Sequence, residues 1–355
     1  MNPNVSFFSD AVALLKQLIT IPSFSRDESR IADFLEITLK EKKYFPRRKG
    51  NNIWLLSPNW NDQKPTILLN SHIDTVKPVS GWTKDPFLPL EDSGKIFGLG
   101  SNDAGASVVT LLQVFIILTQ MQEENNFIFL ASCEEEISGK NGIVSVFSEL
   151  PSIDLGVVGE PTSMQPAIAE KGLMVLDGIV YGKAGHAARE EGENAIYKAI
   201  PVIEWFRNHR FSAVSPLLGP VKMTVTGVQA GIQHNVIPDE CKFTVDIRTN
   251  EFYTNETLFE AISAACGAEV RARSFHLNSS RIAPEHPLVQ RAIELGMTPF
   301  GSPTLSDQSV MRFPSVKIGP GESARSHTAD EYIFLTEIAD AIHRYVALLS
   351  NLKMR

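Results

Sequence analysis

Five short stretches of this chain carry acids and imidazoles at spacings that could do chemistry. In His72-Ile73-Asp74 an extended backbone puts ring and carboxylate on the same side, because strand side chains alternate with period two. A metal-binding histidine usually donates its second ring N–H to a carboxylate, and Asp74 is placed to accept it. A plain turn after a strand is the other reading of the triplet. Gly98-Leu99-Gly100-Ser101-Asn102-Asp103 could pass for a nucleotide fingerprint, but Asp103 stands where the third glycine is needed. A carboxylate at a helix N-terminus repels a pyrophosphate and suits a cation, or else caps the helix. Glu134-Glu135-Glu136 sets three like charges directly after an apolar run, which costs free energy unless positive charge lies close by. Two metal ions would supply that charge, one glutamate coordinating while its neighbour serves as general base toward water; a solvated acidic turn is the alternative. Gly159-Glu160-Pro161-Thr162 adds another acid, and Ser326-His327-Thr328-Ala329-Asp330-Glu331 a second imidazole. His209, His276, His286 and His343 sit in helical or surface-like contexts and are assigned no function.

These groups follow strands. His72 and Asp74 come after the aliphatic run Thr66 to Asn70, Glu134 and Glu135 after Phe127 to Ala131, and Glu160 after Leu155 to Val158. Helical periodicity is expected at Val5 to Thr20, Ser29 to Lys42, 104 to 121 and 139 to 149. Strand alternating with helix predicts an α/β fold with a mostly parallel sheet covered by helices, its polar sites beyond the carboxyl ends of the strands. From Gly172 to about Ser280 the order becomes strand (Leu173 to Tyr181), helix (Asn194 to Asn208), strand (Val221 to Val228), strand (Cys241 to Arg248), helix (Glu256 to Ala265), strand (Glu269 to Phe275). That is the ferredoxin-like β-α-β-β-α-β unit, which can bury a core of its own. The expected division is therefore a catalytic domain over 1–171 and 281–355 with an inserted domain over 172–280. In the returning segment helices are expected at Leu288 to Met297 and Phe334 to Leu349, with a strand at Ser315 to Ile318.

Composition narrows the class of function. The chain has 355 residues, and 33 basic against 41 acidic side chains give a net charge of −8. An acidic balance without a basic run argues against nucleic acid as a partner. The 43% apolar content is enough for two cores. Cys133, Cys241 and Cys266 are widely spaced and form neither a disulfide framework nor a thiolate zinc site, which fits a reducing cytoplasm. No secretory signal is visible. Ala104 to Gln122 is uncharged and approaches the length of a membrane span, but its Gly, Ser, Thr and Gln residues fit a buried core helix better, so no membrane association is expected.

Taken together, His72-x-Asp74, Gly100-x-x-Asp103, Glu134-Glu135, Gly159-Glu160-Pro161-Thr162 and Ser326-His327 resemble the co-catalytic metallopeptidase family of acetylornithine deacetylase, succinyl-diaminopimelate desuccinylase, aminoacylase and glutamate carboxypeptidase. The resemblance runs over nearly the whole chain. It implies a zinc-peptidase-like catalytic domain, with the inserted domain as a lid that also forms a homodimer interface. It implies one metal held by His72 and Glu160, a second by Glu135 and His327, and Asp103 bridging both. Asp74 would orient His72, and Glu134 would take the proton from a metal-bridging hydroxide's parent water and pass it to the leaving amine. In the lid, His186, Asn235 and Arg248 look like the family's substrate-binding residues, His186 reaching the site across the dimer. The charge of two divalent ions is matched by Asp103, Glu135, Glu160 and a hydroxide, so the cluster can be buried. Nitrogen and oxygen donors with two imidazoles favour zinc, with cobalt or manganese permitted. The activity so implied is hydrolysis of an N-acyl amino acid, closest to N-acetylornithine in arginine biosynthesis. An N-succinyl or N-acetylcitrulline substrate, succinyl-diaminopimelate and a dipeptide stay open, as does a catalytically silent binding homologue. Lys171, Arg189 or Arg325 would be free to pair with an extra substrate carboxylate.

Overall fold

Helical and extended stretches follow the apolar pattern of the chain. The computed structural model describes residues 3–121, 123–189 and 191–354; Gln122, the last residue of the uncharged stretch, lies outside them. The chain divides into two compact units, the first made of Met1–Ile168, Ile282–Phe300 and Ser306–Arg355, the second of Ala169–Arg281 with Gly301–Leu305. The expected divisions at 171/172 and 280/281 thus compare with 168/169 and 281/282, and Gly301–Leu305, placed by the sequence in the returning segment, groups with the second unit.

The chain opens with helices α1 (Pro3–Ile19) and α2 (Ser29–Glu41). On α2, Ile31, Ala32, Leu35 and Leu39 are buried, which is one face at helical spacing. Strands β1 (Arg47–Lys49), β2 (Asn52–Leu56) and β3 (Thr66–His72) follow, then the hairpin β4 (Leu90–Asp92) and β5 (Lys95–Phe97). Helix α3 (Ala106–Gln120) leads to β6 (Asn126–Ser132), β7 (Leu155–Val158) and β8 (Ala167–Glu170). Every residue of β3, β6 and β7 is buried, as interior strands covered on both faces must be. The segment Ser101–Gln120 is long and apolar enough to cross a membrane, yet 78% of its most apolar 18 residues are buried inside the protein.

One expected helix is absent. Residues 139 to 149 form only short turns at Ile143–Ser145 and Phe147–Glu149. Gly142 lies so close to the Cys133 carbonyl that a Cβ would sit 2.6 Å from its oxygen, so the segment is held against the preceding loop rather than winding freely. Its apolar residues pack instead into a cluster with Trp54, Leu68, Ile128 and Leu130.

The second unit contains β9 (Gly172–Tyr181), β10 (Gly185–His186), α4 (Ala195–Asn208), β11 (Lys222–Ala230), β12 (Val236–Ile237), β13 (Glu240–Thr249), α5 (Asn255–Ala265), β14 (Glu269–Ala272) and β15 (Ser280–Arg281). Its antiparallel sheet has the order β11-β13-β9-β14, the arrangement expected of a ferredoxin-like unit. Met174, Leu176, Phe243, Val245 and Ile247 on one sheet face pack with Val202 and Phe206 of α4 and Leu258 and Ile262 of α5. Gly178 pairs with Phe243 across the sheet, and a Cβ there would lie 2.1 Å from the phenyl ring.

The returning segment supplies α6 (Pro287–Glu294), β16 (Phe300–Ser302), β17 (Ser315–Lys317), β18 (Tyr332–Phe334) and α7 (Leu335–Leu349). In the first unit β17 inserts between β7 and β8, giving the order β1-β2-β6-β3-β7-β17-β8. The pairs β6–β3, β3–β7 and β7–β17 are parallel and the outer pairs antiparallel, so the sheet is mixed but mostly parallel at its centre. Strand β18 joins β5 and β4 in a separate small sheet. The cysteines are free and buried.

Candidate metal centre

Three parallel strands deliver their polar groups to one edge. His72 ends β3, Glu160 stands two residues beyond β7, and the glutamate run follows β6. The His72 ring is 1% exposed, its Nδ1 lying 2.9 Å from the Asp74 backbone oxygen and 3.6 Å from the Asp74 carboxylate. Its Nε2 faces three acids, Asp103 at 3.2 Å, Glu160 at 3.6 Å and Glu135 at 4.0 Å. Asp103 sits in the turn Ser101–Gly105 before α3, where the Asp103–Ala104 peptide is cis. Its second oxygen lies 3.6 Å from His327 Nε2, which is also 2.9 Å from Glu136. Two groups of donors result, His72 with Asp103 and Glu160, and Asp103 with Glu136 and His327, each within 4.8 Å. Asp103 belongs to both.

So many acids in one place perturb each other. Burial and the charge of Asp103 push Glu160 up to about 8, against the pull of His72. Burial, with the charges of Glu160, Asp307 and Glu136, raises Glu135 well above the ordinary range. The contact with Glu136 raises His327 to about 9. Burial disfavours a charged His72, but its contacts with Asp103 and Asp74 prevail and raise its pKa as well. Like charges in a desolvated site are relieved either by bound protons or by a cation.

The donor set fits one. A tetrahedral site with bonds of about 2.0 to 2.1 Å has edges of about 3.3 Å between ligand atoms. The 3.2 Å and 3.6 Å separations around His72, and the 3.6 Å from His327 to Asp103, lie close to that edge. All five donor residues offer nitrogen or oxygen, and the second group is open, the His327 side chain being 51% exposed.

Within the glutamate run the side chains are placed differently from what the resemblance implies. Glu134 does not face the donors: its carboxylate accepts from the Asn141 side chain at 2.8 Å and the Asn141 N–H at 3.3 Å, and it packs on Gly139. Glu136, not Glu135, meets His327. The cause lies in the backbone. Glu134 takes a left-handed conformation with φ +55° while the buried Glu28 carboxylate accepts its N–H at 3.1 Å, so the next two side chains turn toward the edge. Replacing Glu135 by Glu136 leaves the charge count of the cluster unchanged. The Asp74 carboxylate, 3.6 Å from the ring it is expected to orient, accepts the N–H groups of both Glu135 and Glu136 and is bonded by Ser25 at 2.7 Å. Burial alone would raise its pKa, but His72, Ser25 and the Glu135 N–H hold it below the ordinary value.

Several supporting residues were not singled out by their sequence. Asp307 is buried and accepts from Asn70 at 2.9 Å and Ser132 at 2.7 Å, beneath the edge. Glu331 and Asn102 hold the loop carrying Asp103. Both lie inside motifs already recognised, and their proximity to Asp103 and His327 was the available signal; Asp307, in an unremarkable polar stretch, offered none. In the second unit His186 and Asn235 are exposed neighbours across the short ladder of β10 and β12, with the Ala187 N–H donating to the Asn235 carbonyl. Arg248 stands on β13 in a two-bond pair with Asp246 at 2.8 and 3.0 Å. Of the cations considered for an extra carboxylate, Arg325 is committed to Glu337 at 2.7 Å and Glu322 at 3.1 Å beneath Tyr332 and Phe334. Lys171 donates to the Pro220 carbonyl, and Arg189 lies 3.7 Å from Glu191.

Comparison with known proteins gives the family and the fold. Residues 68–351 match the model of peptidase family M20/M25/M40. The chain is 25% identical over 371 residues to a succinyl-diaminopimelate desuccinylase of Corynebacterium glutamicum, covering 96% of each. Among solved structures it superposes on aminopeptidase PepT of Bacillus cereus with a TM-score of 0.79 at 19% identity, covering 97% of this chain and 98% of that one. A dinuclear metal-binding peptidase of Bacillus subtilis gives a TM-score of 0.71 at 17% identity, with 99% of each chain covered.

Proposed function

The chain belongs to peptidase family M20/M25/M40 and is a hydrolase of amide bonds, and from this premise we propose that it removes the acyl group of an N-acylated amino acid. The observation that carries the reading is Asp103, one oxygen facing His72 and the other His327.

His72 and Glu160 would hold one divalent ion, Glu136 and His327 a second, with Asp103 shared; zinc is favoured by the donors, with cobalt or manganese as the other candidates. When bound, the ions supply Lewis acidity toward the scissile carbonyl and lower the pKa of water to about 7. Glu135 is the proposed general base in place of Glu134. It joins neither donor group, stands 4.0 Å from His72 Nε2, and burial raises its pKa above the ordinary carboxylate value. It would remove the proton from the attacking water and deliver it to the departing amine nitrogen, so that the amide C–N bond breaks with charge balanced. The second unit would act as a lid and as the contact surface of a homodimer, with His186, Asn235 and Arg248 holding the substrate.

For the acyl group, N-acetylornithine is the substrate proposed from the motif set. N-succinyl-diaminopimelate is the second reading, favoured by the name of the Corynebacterium relative. Specificity constants for acetyl and succinyl derivatives of ornithine, citrulline and diaminopimelate, and for unblocked dipeptides, test both. Zinc-loaded protein that is inert toward all the acylated compounds would end the proposal.

A further inference from the structure

We propose that Glu331 is the positioning residue that fixes the Asp103 carboxylate between its two donor groups; the inference rests on the metal-binding reading of the site. Glu331 is 2% exposed and meets the ligand loop from behind. One carboxylate oxygen accepts the N–H groups of Asn102 at 2.8 Å and Asp103 at 2.9 Å, and the other accepts that of Gly100 at 3.0 Å. Its backbone carbonyl accepts a fourth bond, from the Gly98 N–H at 3.0 Å. Three backbone N–H groups thus end on one buried side chain and hold the loop at three points.

Other contacts stop the loop from yielding. Gly100 has φ +75°, and a Cβ there would lie 2.7 Å from Thr75 Cγ2, so the loop is pressed against the segment after β3. The Asn102 side chain bonds both the N–H and the carbonyl of Glu322, at 3.0 and 3.1 Å, and reaches Ser326 at 3.3 Å. The Asp103 backbone is thereby tied to the strand end carrying His72 and to the segment carrying His327. A shared ligand needs that, because each oxygen must point at a different ion and sites of this kind tolerate about 0.5 Å of error. Asp330 next door performs a similar task on a loop without ligands, accepting from Thr83 and Lys84.

A glutamine at 331 has one acceptor oxygen and turns an NH2 group toward a backbone N–H, so the clamp on the loop opens while volume is preserved. The test uses the full chain, stripped of metal and titrated calorimetrically with zinc, and the visible spectrum of the cobalt-loaded protein. Glu331→Gln should bind zinc 10- to 100-fold more weakly, the scale seen for partners of metal ligands, and shift the cobalt bands. Ile338→Ala, which removes a buried side chain of α7, should lower the melting temperature yet bind zinc like the parent. Unchanged zinc affinity and cobalt spectrum in Glu331→Gln, or equal weakening in both variants, would overturn the proposal. Should Glu331→Gln not fold, Glu331→Asp, which withdraws the carboxylate by about 1.5 Å, carries the same expectation and the same contrary outcomes. A parent chain that takes up neither zinc nor cobalt would defeat the metal-binding reading itself, an outcome distinct from a parent that binds and a variant that binds equally well.

Discussion

The carboxylate of Asp74 and the backbone of Glu136 are hydrogen-bonded at 3.2 Å, while the other Asp74 oxygen takes the Glu135 N–H at 3.0 Å. One buried acid after β3 therefore sets where the acids after β6 stand. Asp74→Asn presents an NH2 group in place of one acceptor and leaves a backbone N–H facing it. Loss of such a partner typically costs 10- to 100-fold in metal affinity or activity, and retained metal content with full turnover would show that the turn holds without it.

The two neighbouring glutamates should separate cleanly. Glu135→Gln should keep its metal and lose on the order of 100- to 10,000-fold in kcat, the contribution of a positioned base. Glu134→Gln should keep most turnover but weaken the Asn141 loop, with a stability loss of about 1 to 3 kcal/mol for the charged acceptor removed. Metal analysis, steady-state kinetics and urea unfolding on both proteins decide it, and the reverse assignment predicts the opposite pair of results.

Chelated protein should lose stability as pH rises. Burial holds Glu160 at about 8 against 4.5 in an unfolded chain, and Glu136 holds His327 at about 9 against 6.5. The folded state binds more protons, so the stability these groups contribute is full below 4.5 and 6.5 and vanishes as pH passes 8 and 9. Zinc meets the same electrostatic demand, so melting temperatures measured between about pH 5 and pH 9 should fall steeply with a chelator present and less with zinc. A melting temperature that climbs over this window in chelator contradicts the assignment.

Gly178→Ala should destabilise the second unit by about 1 to 3 kcal/mol, because the new methyl meets the Phe243 ring. Denaturant unfolding of the variant measures this, and an unchanged midpoint would mean that the ring moves aside freely.

Much of this fold is legible in the sequence. Alternating β3, α3, β6 and β7 announced themselves by aliphatic runs, and the second unit by its strand and helix order. The strands β1, β2, β4 and β5 did not, being three to five residues long and too short for a period-two pattern. At the site, motif spacing singled out His72, Asp103, Glu160 and His327. Within Glu134-Glu135-Glu136 the resemblance implies Glu134 as base and Glu135 as ligand, although three identical side chains carry no register of their own. Which of them faces His327 is set by the left-handed turn at Glu134 and by acceptors from elsewhere, Glu28 and Asp74.

Strand β17 lies between β7 and β8, which precede it by well over a hundred positions. The first sheet therefore cannot close until synthesis has passed residue 317, whereas Ala169–Arg281 has its own core and can collapse earlier. His327 arrives last among the donors. A product ending before residue 327 would thus carry four of the five proposed donors and lack the imidazole that the second group requires.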